Sequence, residues 1–157
     1  MEPVGAEGRA AGSVEQLMAE EGAGWEELHV LMTSLSLDQA EEAGYFAEGW
    51  SAKDLLAHVG TWLAEAGVIL ERISVGTYRA DEIDVDAMNE QFYEAMKDVP
   101  LQTVTVQAAT ARTRMLRAWG AIDQPGLDAA FWVVKSGAEH YAEHLPRLRE
   151  WVAQLRP

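Results

Sequence analysis

The sequence predicts an all-α fold, specifically a four-helix bundle. Three observations carry this expectation. Apolar residues recur at helical spacing through four long stretches. Serine caps and Gly- or Pro-containing turns separate those stretches. No alternating apolar run has a second run to pair with, so no sheet is expected.

The first helix is expected to start at Ser13, as N-cap, with Gln16 in the capping-box position. Val14, Leu17, Met18, Trp25, Leu28, Met32 and Leu35 mark its apolar side, and Gly22 and Gly24 weaken its middle. A connector rich in Glu, Ala and Gly follows, from about 36 to 50. The second helix has the clearest start. Ser51 is an N-cap, and Asp54 puts a carboxylate at the positive helix end. Leu55, Val59, Trp62, Leu63, Ala66, Ile69, Leu70 and Ile73 form its stripe, which ends near Gly76. A polar turn over 77–84 leads to a third helical stretch, interrupted at Pro100 by the missing backbone donor. Val104, Thr105 and Val106 have strand-like composition, but they lack a partner run and are read as helix. Pro125-Gly126 is a turn. The last helix is expected over about 127–155, loosened near 135–137 and kinked by Pro146.

With 157 residues the chain suits one domain, over 13–157, behind a disordered tail over 1–12. Apolar residues make up 48%, which favours a packed core over disorder. No run approaches the ~18 apolar residues of a membrane span, and 1–12 lacks the apolar segment of a secretory signal. The net charge of −14 repels phosphate backbones, so nucleic acid is not an expected partner. There is no cysteine, so disulfides, a thiolate nucleophile and thiolate metal ligands are excluded. Any thiol chemistry must use a thiol from outside, and the balance fits a cytoplasmic protein.

Three histidines carry the functional signal. His58 lies within the stripe of the second helix, and His140 and His144 lie four apart in the last. A spacing of four is about 40° of rotation and about 6 Å of rise, so the pair shares one face. A third imidazole from a facing helix completes a three-point metal site with an open position for water or substrate. Neutral imidazoles suit Zn, Ni, Cu or Fe(II), with zinc or nickel the first expectation. A ligand histidine needs its other nitrogen oriented, and Glu65, Glu139 and Glu143 are the nearby candidates. The competing reading is that these histidines are hydrogen-bonded core residues. His29 has no matching partner and is assigned to surface or packing. Trp25, Trp62, Trp119, Trp132 and Trp151 recur at helical positions and are assigned to the core. Trp62, one turn from His58, could also wall a site, and Asn89 could point into it; these two are the candidate cofactor-binding residues.

The run Gly49-Trp50-Ser51-Ala52-Lys53-Asp54-Leu55-Leu56-Ala57-His58-Val59 resembles the signature of the DinB-like superfamily. That superfamily includes the DinB/YfiT-type metalloenzymes and the N-terminal domain of mycothiol-dependent maleylpyruvate isomerases. His140-Tyr141-Ala142-Glu143-His144-Leu145-Pro146, continuing to Arg149-Glu150-Trp151, resembles its last-helix motif. The resemblance implies an up-down-down-up four-helix bundle with a long crossover between its second and third helices. It also implies a divalent metal at His58, His140 and His144, a low-molecular-weight thiol such as mycothiol or bacillithiol, and a homodimer. The isomerase branch often has Glu at the first position of the last-helix pair; His140 moves this chain towards the three-histidine branch. The ClbS/DfsB-like sister group shares the Trp-Ser-x-Lys-Asp region.

Two functions follow as expectations. One is a metal-dependent thiol S-transferase, activating a small thiol or water against an electrophile in detoxification. The other is a small-molecule binding or sequestering protein that turns nothing over.

Overall fold

The computed structural model describes residues 14–45 and 49–156, and the described residues form helices and no strand. The helices are α1 (Val14–Thr33), α2 (Leu37–Ala40), α3 (Ala52–Ser74), α4 (Val85–Met96), α5 (Leu101–Gly120), α6 (Leu127–Ser136) and α7 (Ala138–Leu155). The expected tail over 1–12 and the Ser13 cap lie outside the described residues. Among the described residues no helix is long and apolar enough to cross a membrane.

The start of α3 follows its local chemistry. Ser51 Oγ accepts from the Asp54 backbone N–H, and the Asp54 side chain accepts from the Ser51 N–H, closing a capping box. After α3, Gly76 adopts φ +75°, a left-handed conformation glycine takes at no steric cost. Pro100 caps α5 in an extended conformation, which separates α4 from α5 as expected. Val104, Thr105 and Val106 lie inside α5, with Val104 buried.

Two expectations change. The connector contains α2, which has its own capping box: Ser36 Oγ accepts from the Gln39 N–H, and the Gln39 side chain accepts from Ser36 N–H. The last helix divides into α6 and α7 at Gly137 (φ −99°, ψ −110°). A Cβ there would lie 2.7 Å from the Val133 carbonyl oxygen and 3.3 Å from Glu21 Cγ, so only glycine fits the close approach. Pro146, where a kink is expected, lies inside α7. It and Ala142 are both exposed, so water can satisfy the carbonyl that the proline cannot.

Contacts fix the helix directions. On α3 and α5, Gly60 meets Ala108 and Gly67 meets Met115. Residue numbers rise together on both, so the two helices run parallel. On α1 and α7, Gly24 meets Tyr141 and Glu27 pairs with Arg149, so these also run parallel. The core centres on α3, where Leu55, Val59, Leu63, Ala66 and Leu70 are sealed from solvent among Val104, Ala108 and Met115 of α5.

Buried polar groups are placed with partners. Glu21 of α1 accepts a two-pronged bond from Arg112 of α5, at 2.6 and 2.7 Å. It also accepts from the Tyr141 hydroxyl of α7 at 3.0 Å. Burial, followed by the charge of Glu21, pushes the Tyr141 phenol well above its ordinary range. Buried Lys53 Nζ donates to the Lys97 carbonyl at 2.9 Å and the Val99 carbonyl at 3.0 Å, tying the α4–α5 joint to the base of α3.

Candidate metal centre

The two helices that carry the histidines bring them to one point. His58 sits two turns into α3, on its inward stripe, and α7 starts only two residues before His140. His58 Nε2 lies 3.0 Å from His140 Nε2, which lies 3.1 Å from His144 Nε2. Ring centroids are 4.8, 5.2 and 4.8 Å apart for the 58–140, 58–144 and 140–144 pairs. One ligand atom from each residue falls within 4.8 Å of the others. The convergence expected from sequence is therefore present.

The donor set fits a first-row divalent ion. Bonds of about 2.1 Å place adjacent ligand nitrogens about 3.0 Å apart at right angles and about 3.4 Å apart at the tetrahedral angle. A neutral ring nitrogen offers one proton or one lone pair. His140 Nε2 therefore cannot satisfy both of its neighbours by hydrogen bonds, whereas one cation between the three satisfies all of them.

Protonation favours the same arrangement. Burial, helped by the charge of His144, pulls the His58 imidazole down to about 4. Burial pulls His140 down to about 3, with His58, His144 and Lys135 acting in the same direction and the Ser136 backbone opposing. Burial also lowers His144, against the nearby Glu143 carboxylate. At neutral pH, then, His58 and His140 are unprotonated, the form in which imidazole binds metal.

The expected orienting carboxylates are not found on two of the rings. Nδ1 of His58 and of His140 are buried with no carboxylate bonded to them, and the Ser136 backbone acts on His140 instead. Glu139 instead pairs with Lys135 at 3.0 Å, one turn back along the chain. Glu143 is exposed and acts on His144 through its charge. Glu65 makes no bond to Nδ1 of His58 or of His140. His58 is held by packing: its ring lies 5.4 Å from that of Trp50, which stacks on Tyr93 at 5.4 Å and 2°. His29 is exposed on α1, apart from the cluster.

The three rings line a cavity of about 710 Å³. Its aromatic walls are Trp50, Trp62, Phe131 and Trp132, and Ile83 and Val85 stand at the rim. Beside the imidazoles, Asp86, Asn89, Lys135, Ser136 and Glu143 supply polar atoms. Both candidate cofactor-binding residues are therefore in the wall, and they touch: the Trp62 indole N–H donates to Asn89 Oδ1 at 2.7 Å. Sequence reasoning missed Trp50, Phe131, Trp132 and Lys135. Trp132 reads as core by its spacing, and it is buried, yet one face still borders the cavity. Lys135 and Phe131 are four residues apart on α6, the helix that the break at Gly137 re-aims. No sequence signal marks that re-aiming beyond the glycine itself.

No family profile matches the chain, and neither does any curated protein. Among solved structures it is similar to an uncharacterised protein from Escherichia coli UTI89, with a TM-score of 0.75 at 12% identity. The match covers 89% of this chain and 92% of that one. At that identity the likeness establishes a shared fold and carries no function with it.

Proposed function

We propose that His58, His140 and His144 hold a divalent transition metal, zinc or nickel first, and that the chain is a metal-dependent enzyme of the thiol S-transferase type. The observation that carries this is the approach of the three Nε2 atoms at the floor of a large cavity. We read α1, α3, α4–α5 and α6–α7 as the four rods of a DinB-like bundle. The parallel α1/α7 and α3/α5 pairs support its up-down-down-up order. A homodimer belongs to the same proposal.

A bound divalent cation supplies Lewis acidity, lowering the pKa of a water or small thiol in the position the protein leaves open. The chain's own residues do the rest. Three neutral imidazoles add no negative charge, so the centre keeps its full positive field. Trp50, Trp62, Phe131 and Trp132 exclude water and give an apolar molecule a surface to lie against. The chain has no cysteine, so a thiol nucleophile would come from outside, as the DinB-like resemblance implies. The consequence is capture of a small electrophile, a detoxification chemistry.

The size of the cavity supports one further reading, that of binding or sequestering without turnover. Thiol consumption separates the two. Metal-loaded protein is incubated with a small thiol and a generic electrophile such as monochlorobimane. Many turnovers per chain support the enzyme. Consumption that halts at one equivalent supports the binder.

A further inference from the structure

We infer that Asn89 is a specificity residue, and that the ligand of this cavity has a flat apolar body bearing a hydrogen-bond-accepting oxygen, of the aryl-ketone or unsaturated-carbonyl class. The inference deepens the proposed function, because it rests on the cavity being the ligand site.

An asparagine amide is ordinarily ambiguous, since it offers an acceptor at one end and two donors at the other. At Asn89 the ambiguity is removed. The Trp62 indole N–H can only donate, and it is 2.7 Å from Asn89 Oδ1. The carbonyl end must therefore face the tryptophan, and the NH₂ end is turned away from it. Trp62 is itself buried in the core, so the lock is rigid. The amide nitrogen has no hydrogen-bond partner in the protein among the described residues, and it is not sealed from solvent. Asn89 lines the cavity that holds the three imidazoles. The side chain thus keeps both amide donors free for whatever enters, while its carbonyl end is held by Trp62.

The surroundings define the rest of the ligand. Trp50, Trp62, Phe131 and Trp132 offer ring faces and edges to a planar apolar body. Lys135, the cation in the lining, is already paired with Glu139, and Asp86 and Glu143 add negative charge. A polyanionic ligand is therefore disfavoured, and a neutral oxygen acceptor fits best. The donor works through discrimination: a site built to bond an oxygen rejects an isostere that lacks it, because its own polar group is left unpaired.

The test uses two ligands of one shape, 2-acetylnaphthalene and 2-isopropenylnaphthalene, which exchange C=O for C=CH₂. Affinities are measured by quenching of tryptophan fluorescence on the full chain, both metal-free and with one equivalent of zinc. The metal-free wild type should prefer the ketone roughly tenfold, the value of one good hydrogen bond. Asn89→Asp keeps an acceptor for Trp62 and so keeps the fold, checked by its melting temperature, but it replaces the donors and should erase the preference. Trp62→Phe keeps the wall and frees the amide to flip, and should weaken the preference. Equal affinity in the metal-free wild type, no binding of either compound, or an undiminished preference in Asn89→Asp overturns the inference. A preference seen only with zinc also overturns it, assigning the oxygen to the metal and leaving the metal reading intact. Failure to take up zinc, with the metal-free preference present, rejects the metal reading and leaves the role of Asn89 standing.

Discussion

The Tyr141 hydroxyl donates to Glu21 Oε1 at 3.0 Å, one residue beyond His140. Neighbouring residues on a helix point about 100° apart. The bond therefore anchors one side of α7 to α1 while His140 faces α3 on another. With Arg112 completing the network, three helices fix the register in which the last-helix histidines are presented.

Loss of the Glu21 carboxylate should be costly. Glu21→Ala leaves Arg112, mostly buried against the Trp25 ring at 5.3 Å, without its anion. Breaking a buried pair from one side costs about 3 kcal/mol or more. Urea unfolding should show that loss, and Tyr141→Phe should cost only about 1 kcal/mol, one hydrogen bond. Equal, small effects would show that the network carries no load.

Gly137→Ala tests the break between α6 and α7. The added methyl would press on the Val133 carbonyl oxygen at 2.7 Å, so the backbone must shift, at a cost of about 2 kcal/mol. Because His140 lies three residues on, metal affinity should fall along with the melting temperature. A variant as stable as wild type would mean that α6 and α7 can merge without penalty.

Lys53→Met should loosen the α4–α5 joint. It leaves the Lys97 and Val99 carbonyls without their partner, at about 1–3 kcal/mol. Faster amide hydrogen exchange in α4, which carries Asn89, should accompany the loss. Unchanged exchange there would show that the lysine does not hold that helix.

Acid should destabilise the metal-free protein. His58 and His140 titrate at about 4 and about 3 when folded, against 6.5 as the ordinary value. Below 6.5 the unfolded chain binds protons that the folded chain refuses, so stability present above 6.5 is lost as pH falls towards 4 and 3. Each such group contributes a slope of about 1.4 kcal/mol per pH unit. Melting temperatures in chelator between pH 8 and 4.5 should show the fall, and His140→Leu should flatten it. An unaltered profile in that variant would place the acid sensitivity elsewhere.

Much of this was legible where the determining contacts are local. The Ser51–Asp54 cap is an i, i+3 interaction, and the His140–His144 pair shares a face by spacing alone. The Ser36–Gln39 box around α2 was equally local, though hidden in a connector that reads as turn. Non-local contacts were not legible. Loosening near 135–137 is expected from sequence, but the close approach of Glu21 to Gly137 is not. The Trp62–Asn89 bond joins α3 to α4 across 27 residues. Proximity along the chain marks Glu65, Glu139 and Glu143 as orienting carboxylates, but Lys135 takes the one at Glu139.

Metal content tests the central claim most directly. Protein purified without chelator or affinity tag should carry about one zinc or nickel per chain by elemental analysis, and His140→Ala should carry none while remaining folded. Wild type free of metal that also gains no melting temperature on addition of zinc or nickel, or a His140→Ala variant that keeps its full metal content, would contradict the three-histidine site.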